Sequence, residues 1–213
     1  ETLKEITESC ADAHINWLTV FAFSSENWTR PEHEVAGLMR LIAKFIDTQA
    51  QELLHANVRL RIIGRRDRFA DDLCVALQSL EQRSSKNTRL NLTVALDYGG
   101  RQDIASSALA IAKEIEAGML IADDVNDDLL KSRMSTKILP PVDLLIRTGG
   151  EKRLSNFLLW DLSYAELFFS DKLWPDFTRS DLFDAITSFQ GRQRRFGGGH
   201  YDIDQSLRAV VSD

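Results

Sequence analysis

An α/β fold with a parallel, six-stranded type of sheet flanked by helices is predicted by three features of this chain. Short runs rich in apolar and β-branched residues alternate with longer stretches of helical periodicity, which is the pattern of strands joined by crossover helices. Polar motifs fall where the apolar runs end. The chain has 213 residues, 44% of them hydrophobic, enough to bury one core and too few for two. Residues 1–213 therefore read as a single domain with helices on both sheet faces.

The segments follow in order. The chain opens at Glu1 within a helical pattern. Ile15 to Phe23 is the first apolar run and reads as a buried strand. Val35, Leu38, Met39, Ile42, Phe45, Ile46, Leu53 and Leu54 then recur at spacings of three and four, a long amphipathic helix with Pro31 where a first turn tolerates it. Val58 to Ile63 is a second strand, Arg68 to Gln82 a weaker helical period, and Leu90 to Leu96 a third strand. Helical periods over Gln102 to Ala117 and Asp124 to Ser135 lead to strands at Val142 to Ile146 and Ala165 to Phe169. A final helix, Thr178 to Phe189, is opened by the capping box Thr178-x-x-Asp181.

A net charge of −6 excludes generalised attraction to nucleic acid, so phosphate affinity must come from local arginine clusters. Cys10 and Cys74 have neither metal-ligand spacing nor a disulfide framework and read as thiols in a reducing cytoplasm. No apolar stretch approaches 18 residues, so a soluble, cytoplasmic protein with no membrane span is expected. Neither GxxxxGK[ST] nor GxGxxG occurs, which removes the best support for nucleotide chemistry.

Three strand ends carry the polar motifs. Phe21-Ala22-Phe23 runs into Ser24-Ser25-Glu26-Asn27-Trp28-Thr29-Arg30, Leu92 to Leu96 into Asp97-Tyr98-Gly99-Gly100-Arg101, and Val142 to Ile146 into Arg147-Thr148-Gly149-Gly150-Glu151-Lys152-Arg153-Leu154-Ser155-Asn156. Arginines supply forked donors matched to phosphate oxygens, and glycines with loop N–H groups are expected to bring the backbone close to an anion. Glu166 interrupts the apolar run Tyr164 to Phe169, where an unpaired carboxylate would be costly to bury.

The tracts FAFSSENWTRP, DYGGR, PVDLLIRTGGEKRLSNFLLW, YAELFF, LWPDF and RQRRFGG, in this order, resemble the cis-prenyltransferase family over nearly the whole chain. That resemblance implies a homodimer that adds isopentenyl diphosphate to an allylic diphosphate such as farnesyl diphosphate, with Mg²⁺ as cofactor and contact with a membrane surface for product release. It implies that Arg147, Arg153, Leu154 and Ser155 hold isopentenyl diphosphate and that Glu166 helps bind Mg²⁺. Ser24, Ser25, Glu26, Asn27, Trp28 and Arg30 match the loop over the allylic substrate, with Asn27 as the catalytic candidate. A neutral amide is a very weak base, so positioning fits Asn27 better than proton abstraction. Arg194, Arg195 and Gly197 match a C-terminal segment that reaches a partner's diphosphate site.

The stripe Val35 to Leu54, with Ala22, Val58 and Leu90, matches the family's hydrophobic tunnel, while helical spacing alone equally describes a filled core. Asp97 stands where relatives commonly carry asparagine, and Lys152 where several carry a histidine near the metal. Members of the family begin with a tract reading HxAxxMDGNxRxA, whose aspartate binds Mg²⁺; it is absent here, so a truncated member lacking its first strand is expected. Two further readings stay open, a catalytically silent subunit or inactive fragment, and an α/β domain binding another phosphorylated metabolite.

Overall fold

A computed structural model describes residues 1–192 and 208–212. The elements are α1 (Thr2–Asp12), β1 (Trp17–Ser24), α2 (Glu32–His55), β2 (Val58–Ile63), α3 (Asp71–Arg83), β3 (Leu90–Tyr98), α4 (Gly100–Glu116), α5 (Asp127–Arg133), β4 (Leu144–Arg147), β5 (Glu166–Phe169), α6 (Arg179–Gln190) and β6 (Arg208–Ser212). A 3₁₀ turn, Ser25–Thr29, follows β1. The six strands form one sheet in the order β2-β3-β1-β6-β4-β5, and the neighbouring pairs run parallel. The α/β class and the alternation are as the sequence predicts.

Alternation along each strand sorts the core into two layers. Leu18 and Val20 of β1, Leu90, Leu92 and Val94 of β3, and Leu144 and Ile146 of β4 face a cluster closed by Ile6 and Cys10 of α1, Ile46, Ala50 and Leu53 of α2, Leu77 and Leu80 of α3, and Leu182, Ile186 and Phe189 of α6. Phe21, Ala95 and Leu145 face the other way, against Leu139, Phe157, Leu158 and Leu162. Each fully buried Leu, Ile or Phe contributes about 1.5–3 kcal/mol relative to exposure, so this double layer dominates stability. The Thr178 capping box forms as read, with Thr178 N–H donating to Asp181 Oδ2 at 2.8 Å.

Two features set up the sheet's carboxyl end. The register between β1 and β3 slips twice, leaving Ala22 as an extra residue on β1 and Asp97 as an extra residue on β3. Asp97 takes a φ of 48°. These bulges re-aim the side chains at the strand ends. The second feature is β6, which sequence reading passed over. It fills the centre of the sheet, with Ser212 level with Phe21 on one side and Arg147 on the other. The sheet therefore has no open slot in its middle. From this centre the chain winds outward in opposite senses, β1 towards β3 and β2, and β4 towards β5, which creates a crevice at the carboxyl end.

Candidate active site

That crevice is an open cavity of about 670 Å³. Its walls are Phe21, Ala22, Phe23 and Ser24 from the end of β1, Glu26, Asn27 and Arg30 from the turn after it, Leu38 of α2, and Arg147, Glu151, Arg153, Ser155 and Asn156 from β4 and its following loop. Of the residues singled out in the sequence, Ser24, Glu26, Asn27, Arg30, Arg147, Arg153 and Ser155 are thus brought together. Arg147 is buried, 6% exposed, whereas the Arg30 and Arg153 side chains are half exposed or more. Three guanidinium groups face two carboxylates, and both carboxylates have partners. Glu26 accepts from Asn156 Nδ2 at 2.7 Å, and Glu151 pairs with Arg153. The cleft suits a ligand with several anionic oxygens.

Local chemistry explains the geometry. Asn27 Oδ1 accepts the Ser24 backbone N–H at 2.9 Å, pinning the 3₁₀ turn to the strand that feeds it. This uses the acceptor end of the amide and leaves its NH₂ group as a donor towards the cleft. Gly149 and Gly150 have φ of 83° and 76°, a conformation glycine adopts without steric cost. Their N–H groups donate to Lys172 O at 2.7 Å and Ser170 O at 2.9 Å. The expectation that these amides cradle the anion is therefore corrected: they dock the loop onto the segment after β5, and the donors that line the cleft are the arginines. Ser155 and Asn156 follow at φ of 48° and 63°.

Other singled-out residues lie elsewhere. Ser25 faces a neighbouring cavity with Asp97, Tyr98 and Gly99. Leu154 packs against the second core layer. Trp28 is packed edge-on to Phe23, with ring centroids 5.2 Å apart, and against Phe69. Glu166 opens β5 and is level with Leu144, three rungs before Arg147, which corresponds to about 10 Å of strand. There it accepts from Arg192 Nη1 at 2.7 Å. Within one chain the structure does not bring Glu166 into the cleft. Arg194, Arg195 and Gly197 lie outside the described residues. Asp97, which stands where relatives commonly carry asparagine, is turned out of the cleft by its bulge and held by both ends of the Arg68 fork.

Sequence reasoning missed Asn156 and Glu151 as wall residues. Asn156 donates to Glu26 and, at 2.9 Å, to Gln102 Oε1, and accepts from the Arg101 N–H at 2.8 Å. Its place in the quoted tract gave a signal, but one indistinguishable from a loop asparagine's turn preference.

An apolar cavity of about 220 Å³ adjoins the cleft and shares Phe21, Ala22 and Leu38 with it. Leu41, Ile42 and Phe45 of α2, Val94 and Leu96 of β3, and Trp174 are among its other walls. The α2 stripe is accordingly divided: Leu38, Ile42 and Phe45 border open space, while Ile46, Ala50 and Leu53 are filled core. Val58 and Leu90 also belong to the core.

A parallel sheet whose central strand ends floor an arginine-lined cleft, continuous with an apolar cavity, defines an enzyme for substrates with an anionic head and a hydrocarbon tail. Comparison with known proteins agrees. The undecaprenyl diphosphate synthase family model matches residues 1–197. A ditrans,polycis-undecaprenyl-diphosphate synthase ((2E,6E)-farnesyl-diphosphate specific) of Pseudomonas syringae pv. tomato is 45% identical over 98% of this chain and 83% of its own. An isoprenyl transferase of Geobacter sulfurreducens is 46% identical over 92% of this chain and 80% of its own. Among solved structures, lavandulyl diphosphate synthase from Lavandula x intermedia, in complex with dimethylallyl diphosphate, superposes with a TM-score of 0.89 at 36% identity, covering 92% of this chain and 85% of that one. A probable undecaprenyl diphosphate synthase from Campylobacter jejuni gives 0.80 at 34% identity, covering 92% and 90%. The chain belongs to the undecaprenyl diphosphate synthase family of cis-prenyltransferases.

Proposed function

We propose that this chain is a single-domain prenyltransferase that condenses isopentenyl diphosphate repeatedly, in cis, onto farnesyl diphosphate, giving a long-chain polyprenyl diphosphate such as undecaprenyl diphosphate for cell-wall lipid carriers. The observation that carries this reading is the shared wall of Phe21, Ala22 and Leu38 between the arginine cleft and the apolar cavity. A diphosphate held by the arginines would direct its hydrocarbon tail into the space beside α2. Retention of Ser24, Asn27, Arg147, Arg153 and Ser155 in one cleft favours an enzyme over a silent subunit.

The reaction breaks an allylic C–O bond, forms a C–C bond from the homoallylic alkene, and releases a proton. Negative charge grows on the bridging oxygen as the allylic diphosphate departs, and Arg30, in the turn over the allylic substrate, is a donor for it, while Arg147 and Arg153 hold the diphosphate of isopentenyl diphosphate, which stays on the product. Asn27 orients a substrate through its NH₂ group, and the departing diphosphate takes the proton. Mg²⁺ is compatible with this donor set, because it commonly binds through one or two carboxylates plus substrate phosphates, and Glu26, which accepts from the neutral amide of Asn156, lines the cleft. When bound, it would neutralise further charge on the leaving group. Glu166, the ligand implied by resemblance, is committed to Arg192 in this structure.

The reading includes a homodimer, supported by β5 at the sheet edge with Tyr164 77% and Leu173 61% exposed nearby. It also includes a cytoplasmic site of action, supported by two free cysteines, with membrane-surface contact for product release. Among the described residues no helix is long and apolar enough to cross a membrane. The test is incubation with farnesyl diphosphate, labelled isopentenyl diphosphate and Mg²⁺, followed by chromatography of the dephosphorylated products. A ladder of polyprenols is expected. Tight binding of isopentenyl diphosphate without incorporation would instead establish a silent subunit.

A further inference from the structure

Trp28 sits in the 3₁₀ turn between Asn27, which lines the cleft, and Thr29. Its ring packs against Phe23, itself a wall of the cleft, against the first core layer, and against Phe69 of the loop between β2 and α3. The Arg68 guanidinium lies 5.0 Å from the Trp28 ring centroid, within cation–π range. The same guanidinium grips Asp97 at the end of β3, Nε donating to Oδ2 at 2.8 Å and the second arm to Oδ1. The Asp97 side chain is fully buried, and the Arg68 side chain is one-third exposed. A buried carboxylate with a bidentate partner is a fixed anchor, since removing either member leaves an uncompensated charge or a loose fork.

The loop that carries Arg68 is itself held against β3. Arg65 N–H donates to Asp97 O at 3.1 Å, and a Cβ at Gly64 would fall 2.0 Å from Leu96 O. Arg68 therefore has one rigid partner, Asp97, and one partner on the turn that walls the cleft, Trp28.

We infer that Arg68 is a positioning residue: anchored by Asp97, it clamps Trp28 and so fixes the turn Ser25–Thr29 against the cleft in the geometry that receives the allylic diphosphate. This rests on the transferase reading for the identity of the ligand, though not for the clamp itself. It also gives Asp97 a purpose, because an acidic residue fixes a planar fork more firmly than a neutral amide would.

The experiment compares the whole chain with Arg68→Gln, Arg68→Lys, Asp97→Asn and the charge-free pair Arg68→Gln/Asp97→Asn, with Arg65→Ala as a control. Amide hydrogen exchange across residues 25–29 in the free protein reads the clamp, and farnesyl diphosphate affinity and KM read its consequence. Faster exchange and a rise of about 5- to 30-fold in Kd and KM are expected for Arg68→Gln, in the range for loss of a partly desolvated cation–π contact. Arg68→Lys should recover only part of this, because an ammonium cannot fork, and Arg65→Ala should match the wild type. If Arg68→Gln is unfolded, the paired variant, which buries no lone charge, decides in its place. Unchanged exchange over 25–29 overturns the clamp, and faster exchange with unchanged affinity and KM overturns the positioning role. A wild type that neither binds farnesyl diphosphate nor transfers prenyl groups sinks the transferase reading instead, and the exchange comparison still decides the clamp.

Discussion

Asn156 Nδ2 lies 2.7 Å from Glu26 Oε1, joining the loop after β4 to the turn after β1 across 130 positions of sequence. The same side chain reaches Gln102 and the Arg101 N–H at the start of α4. Asn156→Gly keeps the left-handed backbone at little cost and deletes all three bonds, so it isolates the side chain's part. A loss of about 1–3 kcal/mol in urea unfolding is expected, with weaker binding of both substrates. Unaltered stability would show these bonds to be replaced by water without penalty.

Arg147 is the buried guanidinium of the cleft. Its replacement by alanine should weaken isopentenyl diphosphate binding by about 1.5–3 kcal/mol, because a charge-assisted contact in a partly desolvated site is lost. Arg153, largely exposed, should cost less, about 0.5–1 kcal/mol. Titration calorimetry would order the two, and equal affinity for Arg147→Ala and wild type would remove that residue from the site.

Asn27 offers a separation of roles. Asn27→Asp keeps an oxygen to accept from Ser24 N–H and creates a far stronger base, but deletes the NH₂ donor. Positioning predicts that kcat drops at least about tenfold while thermal stability stays near wild type, since a missing hydrogen bond to a charged group is worth about 1.5–3 kcal/mol. Proton abstraction predicts equal or higher kcat, and steady-state kinetics would tell them apart.

Ile42 borders the apolar cavity on the α2 side. Ile42→Trp should occupy space meant for hydrocarbon and shift products towards shorter chains while isopentenyl diphosphate affinity is retained. Mass spectrometry of the dephosphorylated products would read this directly. An unchanged length distribution would place the growing chain elsewhere.

Acid stability has a local handle at α6. The Asp181 carboxyl is held down to about 2 by its hydrogen bonds from Lys172 and from Thr178. A folded-state value below the unfolded one contributes stability that is present above the unfolded value, near 4, and fades as pH falls through about 2. Denaturation midpoints should therefore decline between pH 4 and pH 2 less steeply in Asp181→Asn than in the wild type. Equal slopes would mean the cap is unimportant to acid unfolding.

Much of the fold was legible because periodicity is local. The spacing from Val35 to Leu54 and the β-branched run Val58 to Ile63 each depend on neighbours in sequence, and α2 and β2 appear where those patterns stand. Strand β6 was missed because Arg-Ala-Val-Val-Ser is short and carries no turn signal of its own; only pairing with both β1 and β4 defines it. The site was legible to the extent that strand ends carry polar motifs, which placed Arg147 and Asn27 on one side of the sheet. Side-chain direction was not: the bulge that turns Asp97 to Arg68 and the choice of Glu166 for Arg192 depend on tertiary geometry.

The seat of β6 has a consequence for biosynthesis. During translation β1 and β4 leave the ribosome well before the strand that must lie between them, so their facing amides and carbonyls stay unsatisfied until residues 208–212 clear the exit tunnel. Phe21 and Arg147 are brought level only then, through Ser212. A nascent chain arrested upstream would carry every arginine of the cleft while β1 and β4 still lacked the strand that sets them side by side.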